Sequence, residues 1–197
     1  MINAEVFLAN HRSSQTVIEQ CLKFPTEEYP DIPISVVQFL NLGCSVAPVL
    51  SHSLSASIKM SMVGCPISDR ANLASLARQN PNCNWAVATG NGLLILEVNT
   101  QIAMPALRAL CGNDWEWRET LRFRSGDVYF YAFRHSGRRV RFLGSRFPGL
   151  RIHWTGSVVL LPSSWFVFGP PVIRVSELDA EVLQAPSWLL DPSEIPQ

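Results

Sequence analysis

Glu97 and Asn99 bracket Val98 at the end of the apolar run Leu93-Leu94-Ile95-Leu96. On a β-strand, residues two apart project to one face, about 7 Å from each other, so these two side chains stand side by side. Two carboxylates in that arrangement can hold a catalytic divalent cation. Here the second member is a neutral carboxamide, and hard cations prefer charged oxygens, which makes the pair alone a weak magnesium site. An ordinary strand end running into a loop accounts for the same residues. The other chemistry-bearing types are scattered. His11, His52, His135 and His153 show no ligand spacing with one another or with cysteine. The five cysteines, Cys21, Cys44, Cys65, Cys83 and Cys111, are odd in number and form no Cys-x-x-Cys pair. That spacing excludes a zinc ribbon, argues against a disulfide framework, and leads to an expectation of reduced, mostly buried thiols. No Gly-x-Ser-x-Gly, P-loop or His-Glu-x-x-His pattern occurs, and Thr89-Gly90-Asn91-Gly92 is too short for a dinucleotide fingerprint.

Basic and acidic residues balance at 16 each, which excludes a uniformly basic nucleic-acid coat. The balance hides an asymmetry. Arg118, Arg122, Arg124, Arg134, Arg138, Arg139, Arg141, Arg146 and Arg151 face only Glu119 and Asp127 in the same stretch, a local surplus of +7. Lysine is limited to Lys23 and Lys59, so the charge is almost all guanidinium, the group best matched to phosphate or carboxylate. On strands, Arg122 and Arg124 share a face, as do Arg139 and Arg141. If those strands are neighbours, four guanidinium groups make a phosphate track with Trp115 and Trp117 at its entrance. Solvated strand faces with intramolecular ion pairs, and tryptophans that serve the core, are the competing reading.

The elements that must position these groups follow from pattern. The 197 residues, 47% of them hydrophobic, suffice for one domain with short appendages. A short helix is expected at Ser14–Lys23, broken by the prolines of Phe24–Pro30. Ile34, Val37, Phe39 and Leu40 give a helix closed by Gly43, followed by a strand over Cys44–Val49. Leu50–Pro66 reads as loop. Asp69 can cap a helix carrying Leu73, Leu76 and Ala77. Trp85–Ala88 and Leu93–Val98, joined through Asn91-Gly92, read as an antiparallel hairpin. A helix starts near Pro105 and ends at Gly112. Strands are expected at Thr120–Arg124, Val128–Phe133, Arg138–Phe142 and Val158–Leu161, with a last helix near Ser176–Leu183. This order indicates an α+β, or mixed α/β, domain. No run approaches the roughly 18–20 apolar residues of a membrane span. Met1–Glu5 lacks the basic start of a signal peptide, so a cytoplasmic location is expected.

Several segments in this order resemble the bifunctional DNA primase/polymerase N-terminal (Prim-Pol) domain of the archaeo-eukaryotic primase superfamily. Phe39-Leu40-Asn41-Leu42-Gly43-Cys44-Ser45-Val46-Ala47-Pro48 is similar to the family's opening helix and strand. Asn84-Trp85-Ala86-Val87-Ala88-Thr89-Gly90 resembles its Asn-Ile-Gly-Ile-Ala-Thr-Gly segment. Leu93–Asn99 lies where the family has a strand ending Asp-x-Asp. Ser125-Gly126-Asp127-Val128-Tyr129-Phe130-Tyr131 resembles its Ser-Gly-Gly-x-His-x-Tyr-Phe. Pro148–Ile152, Gly156–Ser164 and Pro186-Ser187-Trp188-Leu189-Leu190 are similar to its closing motifs. The likeness runs from about Ile34 to Leu190, implying a Prim-Pol-like domain over 34–190, an extension over 1–33 and a tail over 191–197. It also implies a mixed or antiparallel sheet flanked by helices.

The departures fall on the chemistry. The family's three acids hold metals for nucleotidyl transfer, and its histidine contacts the incoming nucleotide's phosphates. By resemblance these roles fall on Glu97, Asn99 and Arg151, with Tyr129 at the histidine position. That exchange takes the site's formal charge from −3 to 0, and a divalent cation is not expected to stay. Magnesium or manganese enters only if Glu97 retains it. Glu97, Asn99, Tyr129 and Arg151 are expected to open into one cleft. A catalytically inactive domain that binds single-stranded nucleic acid or nucleotide through Arg122, Arg124, Arg134, Arg138, Arg139, Arg141 and Arg151 is the reading adopted. A protein-interaction module on the same fold is the alternative, and an active primase or polymerase with unorthodox ligands, drawing on Asp127 and His135, is the third. No membrane partner is expected.

Overall fold

The computed structural model describes residues 32–49, 57–59, 70–79, 83–137, 139–141, 147–164, 169–177 and 180–190. The expected helix at Ser14–Lys23, the proline break after it, the Asp69 cap, Cys21, Cys65, Arg138 and Arg146 lie outside these residues. In chain order the described elements are α1 (Ile34–Asn41), β1 (Val46–Val49), β2 (Ser57–Lys59), α2 (Arg70–Gln79), β3 (Asn84–Ala88), β4 (Leu93–Asn99) and α3 (Met104–Cys111). They continue as β5 (Arg122–Ser125), β6 (Val128–Arg134), β7 (Leu150–His153), β8 (Ser157–Leu160), β9 (Val172–Arg174) and β10 (Leu183–Gln184). Single 3₁₀ turns occupy Glu116–Glu119 and Ser187–Leu189.

Local chemistry explains the helices. In α1 the buried face is Val36, Phe39 and Leu40. Its end is closed at Gly43 (φ 79°), where the Gly43 and Cys44 N–H groups donate to the carbonyls of Leu40 and Phe39 at 2.9 and 3.0 Å. A side chain would strain that left-handed position, so the glycine stops the helix. Helix α3 carries its proline in the first turn, where no intrahelical donor is lost, and ends at Gly112.

The strands form two sheets, ordered β1-β3-β8-β2 and β7-β4-β6-β5-β9, with β10 beside the end of β6. Every described pairing is antiparallel except β10 with β6. The domain is therefore mixed α+β, as its element order indicates. One face of the larger sheet (Leu93, Ile95, Phe123, Phe130, Ala132) packs with the smaller sheet, α1 and α2. The other face (Leu94, Leu96, Val98, Tyr131, Phe133) packs with α3, Trp117 and Trp188. Leu94, Ile95 and Leu96 are fully buried, and each such side chain stabilises the fold by roughly 1.5–3 kcal/mol.

The expected hairpin is not formed. Asn91 (φ 49°) and Gly92 (φ 92°) do make the tight turn, and Gly90 bridges Leu93. Beyond that bridge the strands separate into different sheets: β3 pairs with β1 and β8, and β4 with β6 and β7. Both runs are apolar on both faces, so each serves as a central strand with partners on both edges. The Thr89 N–H and hydroxyl both donate to the Ser157 carbonyl, fastening the end of β3 to β8 while Gly90 (φ 102°) redirects the chain.

Three further expectations are corrected. The Leu50–Pro66 stretch contains a strand, β2, paired with β8. The described residues of Ser176–Leu183 form no helix. Arg174 Nε donates to the Ser176 and Glu177 carbonyls, which a helix would need for its own ladder, and Leu183–Gln184 runs parallel to β6 instead. The strand at Arg138–Phe142 reduces, among described residues, to one bridge between Val140 and Leu190. No helix among the described residues is long and apolar enough to cross a membrane.

Candidate functional site

Glu97 lies on the β4 face that also carries Ile95, at the point where that face leaves the core. Residues directly opposite on neighbouring strands share a face, and the register sets Glu97 against Arg151 on β7 and Phe130 on β6. One pair along, Ile95 opposes His153, so Arg151 and His153 both stand beside Glu97. His153 Nε2 lies 2.7 Å from Glu97 Oε2. A carboxylate oxygen only accepts, so Nε2 carries the proton of that bond. Arg151 Nη1 approaches the same oxygen at 3.8 Å. The three side chains grade from inside to outside, at 3% exposure for His153, 20% for Glu97 and 65% for Arg151.

Asn99 shares the face of Glu97, as its spacing requires, but its amide is turned toward its own chain. Oδ1 accepts from the Gln101 N–H at 3.1 Å, and the backbone carbonyl accepts from Ala103, shaping the entry to α3. The strand that carries Arg151 is fixed by Gly149 (φ 78°), whose carbonyl accepts from the Asn99 N–H at 2.8 Å.

Tyr129 does not join this cleft. It opposes Val98, not Glu97, and therefore projects from the other face, where its ring stacks on Tyr131 at 6.2 Å between centroids. The β6 residue opposite Glu97 is Phe130, which is 1% exposed. A one-residue register difference moves a strand side chain to the opposite side, and that is the whole of this correction. Asp127 and His135 cannot combine in one site either, since they flank opposite ends of the seven-residue β6. Asp127 Oδ2 accepts from Gln101 Nε2 at 2.7 Å, while the His135 ring lies 6.4 Å from that of Trp154.

The arginines divide. Arg122 and Arg124 oppose Tyr131 and Tyr129, so they do share a face, but the one turned away from Glu97. Arg134 opposes Leu93, on the face of Glu97 but at the other end of β4. Arg139 and Arg141 flank Val140, whose partner is Leu190, whereas β5 is bordered by β6 and β9. The single four-arginine track is therefore not built. Trp117 is a core residue, 4% exposed and 4.8 Å from Tyr131. Trp115 is half-buried beneath the Arg118 guanidinium, which lies 4.4 Å from its centroid. His153 is the site residue that sequence reasoning missed. The alternation Arg151-Ile152-His153 on a strand was the available signal.

The metal chemistry implied by the family resemblance does not fit these donors. One carboxylate is already engaged by His153 and Arg151, the neighbouring carboxamide is turned to Gln101, and the third position is a cation. Among the described residues no group of three or more His, Cys, Asp or Glu side chains could hold a metal ion. What the arrangement offers is a partly exposed carboxylate acceptor beside an exposed guanidinium donor.

No curated protein matches the sequence significantly. A family model described as bifunctional DNA primase/polymerase, N-terminal, matches residues 39–188. That span runs from α1 to the closing 3₁₀ turn and takes in both sheets, Glu97 and the β7 strand opposite it. The chain belongs to the bifunctional DNA primase/polymerase N-terminal, or Prim-Pol, family.

Proposed function

We propose that this chain is a Prim-Pol-fold domain that does not carry out metal-dependent nucleotidyl transfer and instead binds nucleic acid or nucleotide through its arginine-rich half. The working unit is residues 34–190, flanked by an extension and a tail, in a cytoplasmic setting. The Glu97–His153–Arg151 cluster carries the reading. Two-metal transfer needs several carboxylates to draw in cations and clamp the attacking and leaving oxygens. Here the carboxylate of the cluster is bonded to a histidine and approached by an arginine, so its charge is already balanced and nothing in the cluster draws in a divalent cation. Among the described residues Arg122, Arg124, Arg134 and Arg141 have no carboxylate partner, which supports an anionic ligand over a charge-paired protein contact. Manganese titration followed by electron paramagnetic resonance tests the loss of the metal site. The wild type is expected to bind no ion at micromolar concentration, and Asn99→Asp/Arg151→Asp to gain a bound signal. Tight binding by the wild type contradicts the reading.

A further inference from the structure

We infer that the sheet face turned away from Glu97 holds a phosphate subsite made by Arg118, Arg122 and the Tyr131 hydroxyl, with Trp115 and Tyr129 placed to stack a base. The inference rests on the binding half of the proposed function and gives it a location. Arg122 opposes Tyr131 across β5 and β6, so the two side chains are neighbours on one face. Arg122 Nη1 donates to the Arg118 carbonyl at 2.6 Å, which holds its guanidinium against the 3₁₀ turn. Arg118 lies over Trp115 at 4.4 Å and beside Trp117 at 5.6 Å, and the Trp117 ring meets Tyr131 edge-on at 4.8 Å. Arg122 thus neighbours Tyr131 across the strands, and Arg118 borders it through the Trp117 ring.

The polar inventory of this cluster is incomplete. The Nε atoms of both Arg118 and Arg122 are buried with no hydrogen-bond partner. Neither arginine forms an ion pair among the described residues. Tyr131 is 5% exposed, and burial raises the pKa of its hydroxyl while the charges of Arg118 and Arg122 oppose the rise. Both arginines are half-buried rather than sealed, and a phosphate supplies several acceptor oxygens to guanidinium groups placed this way. Around the cluster, Trp115 and Tyr129 are half-buried aromatic rings, and Arg124 opposes Tyr129 one step along β5. A base can stack on an aromatic ring or on the plane of a guanidinium already seated on tryptophan. The ligand class is a phosphate joined to a base, from the backbone of a single strand or from a free nucleotide.

Fluorescence anisotropy with a labelled oligothymidylate of about 20 nucleotides tests the site, with ATP as competitor. Wild type and Arg78→Gln, a change on α2 away from the cluster, are expected to bind alike. Arg122→Gln is expected to weaken binding about tenfold and to reduce the logarithmic salt slope by about 0.7, one phosphate contact on a single strand. Tyr131→Phe keeps the ring and the core, and is expected to weaken binding about threefold. Displacement by micromolar ATP identifies a free nucleotide as the source of the phosphate; displacement only by millimolar ATP identifies the backbone. Unchanged binding by Arg122→Gln and Tyr131→Phe, with loss in Arg151→Gln, overturns the inference and leaves the proposed function standing. Displacement by polyglutamate as effective as by unlabelled oligonucleotide overturns it in favour of an acidic protein partner. No binding by the wild type overturns the proposed binding function itself.

Discussion

Oxygen Oε2 of Glu97 serves two neighbours of opposite character, so removing either partner has a different consequence. His153 is buried and has Glu97 as its side-chain partner, whereas the Arg151 guanidinium already reaches solvent. Glu97→Ala is expected to cost about 1–3 kcal/mol by leaving a buried donor unpaired, and Arg151→Ala less than about 0.5 kcal/mol. Urea denaturation at pH 7 measures both, and equal effects would place the Glu97 interaction in Arg151 instead. Cys44 gives a second residue-level expectation. Burial pushes its thiol up to about 11, against the pull of the Arg134 charge. An unfolded thiol titrates near 9.0, so the stabilisation is complete below that pH. It is lost as pH rises toward 11, because the unfolded chain releases a proton that the native one keeps. Between pH 8 and 10.5 the wild type should therefore lose about 2 kcal/mol more than Cys44→Ala, measured by urea midpoints. Glu97 and Arg151 were legible as a facing pair because a resemblance supplied the partner strand. His153 was not, because its alternation with Arg151 shows that the two share a face, but only the strand register sets that histidine beside Glu97.

Register also decides most of what happens at the level of elements. Gly149 sets where β7 begins and hence which residue faces Glu97. A Cβ there would lie 2.5 Å from Ile102 Cγ1 and 3.1 Å from the Ala103 backbone nitrogen, at a left-handed φ of 78°. Gly149→Ala is expected to destabilise the fold by about 2–3 kcal/mol, combining the backbone penalty with crowding against Ile102 and Ala103 just before α3. A thermal melt checks this, and an unchanged midpoint would show that the turn gives way freely. Both helices with glycine stops, α1 and α3, were readable from sequence because their signals are local. The Asn91-Gly92 turn was readable for the same reason. What the local signal could not convey is that β3 and β4 are each buried on both faces, so the chain leaves one sheet and enters another at Gly90. Tyr129 illustrates the same limit: its motif position was legible, its face was not. Short strands such as β7 and β9, of four and three residues, have too little period to detect unaided.

At the scale of the whole molecule, the two faces of the larger sheet divide the candidate site residues. The face with Glu97, Arg151 and His153 carries a single carboxylate bonded to a histidine and approached by a guanidinium, a donor set unsuited to divalent metals. The opposite face gathers Arg118, Arg122 and Arg124 with aromatic rings. The distribution of charge along the chain already showed the arginine surplus, but only the fold separates it into two groups, because alternate residues of β5 and β6 point to opposite sides. The central claim is that family membership persists without nucleotidyl transfer. Primer extension measures this most directly, using purified protein, a primed DNA template, all four deoxynucleotides and either magnesium or manganese. No product above that of the protein-free control is the predicted result. Sustained, template-directed extension that is abolished by Glu97→Ala would contradict the account.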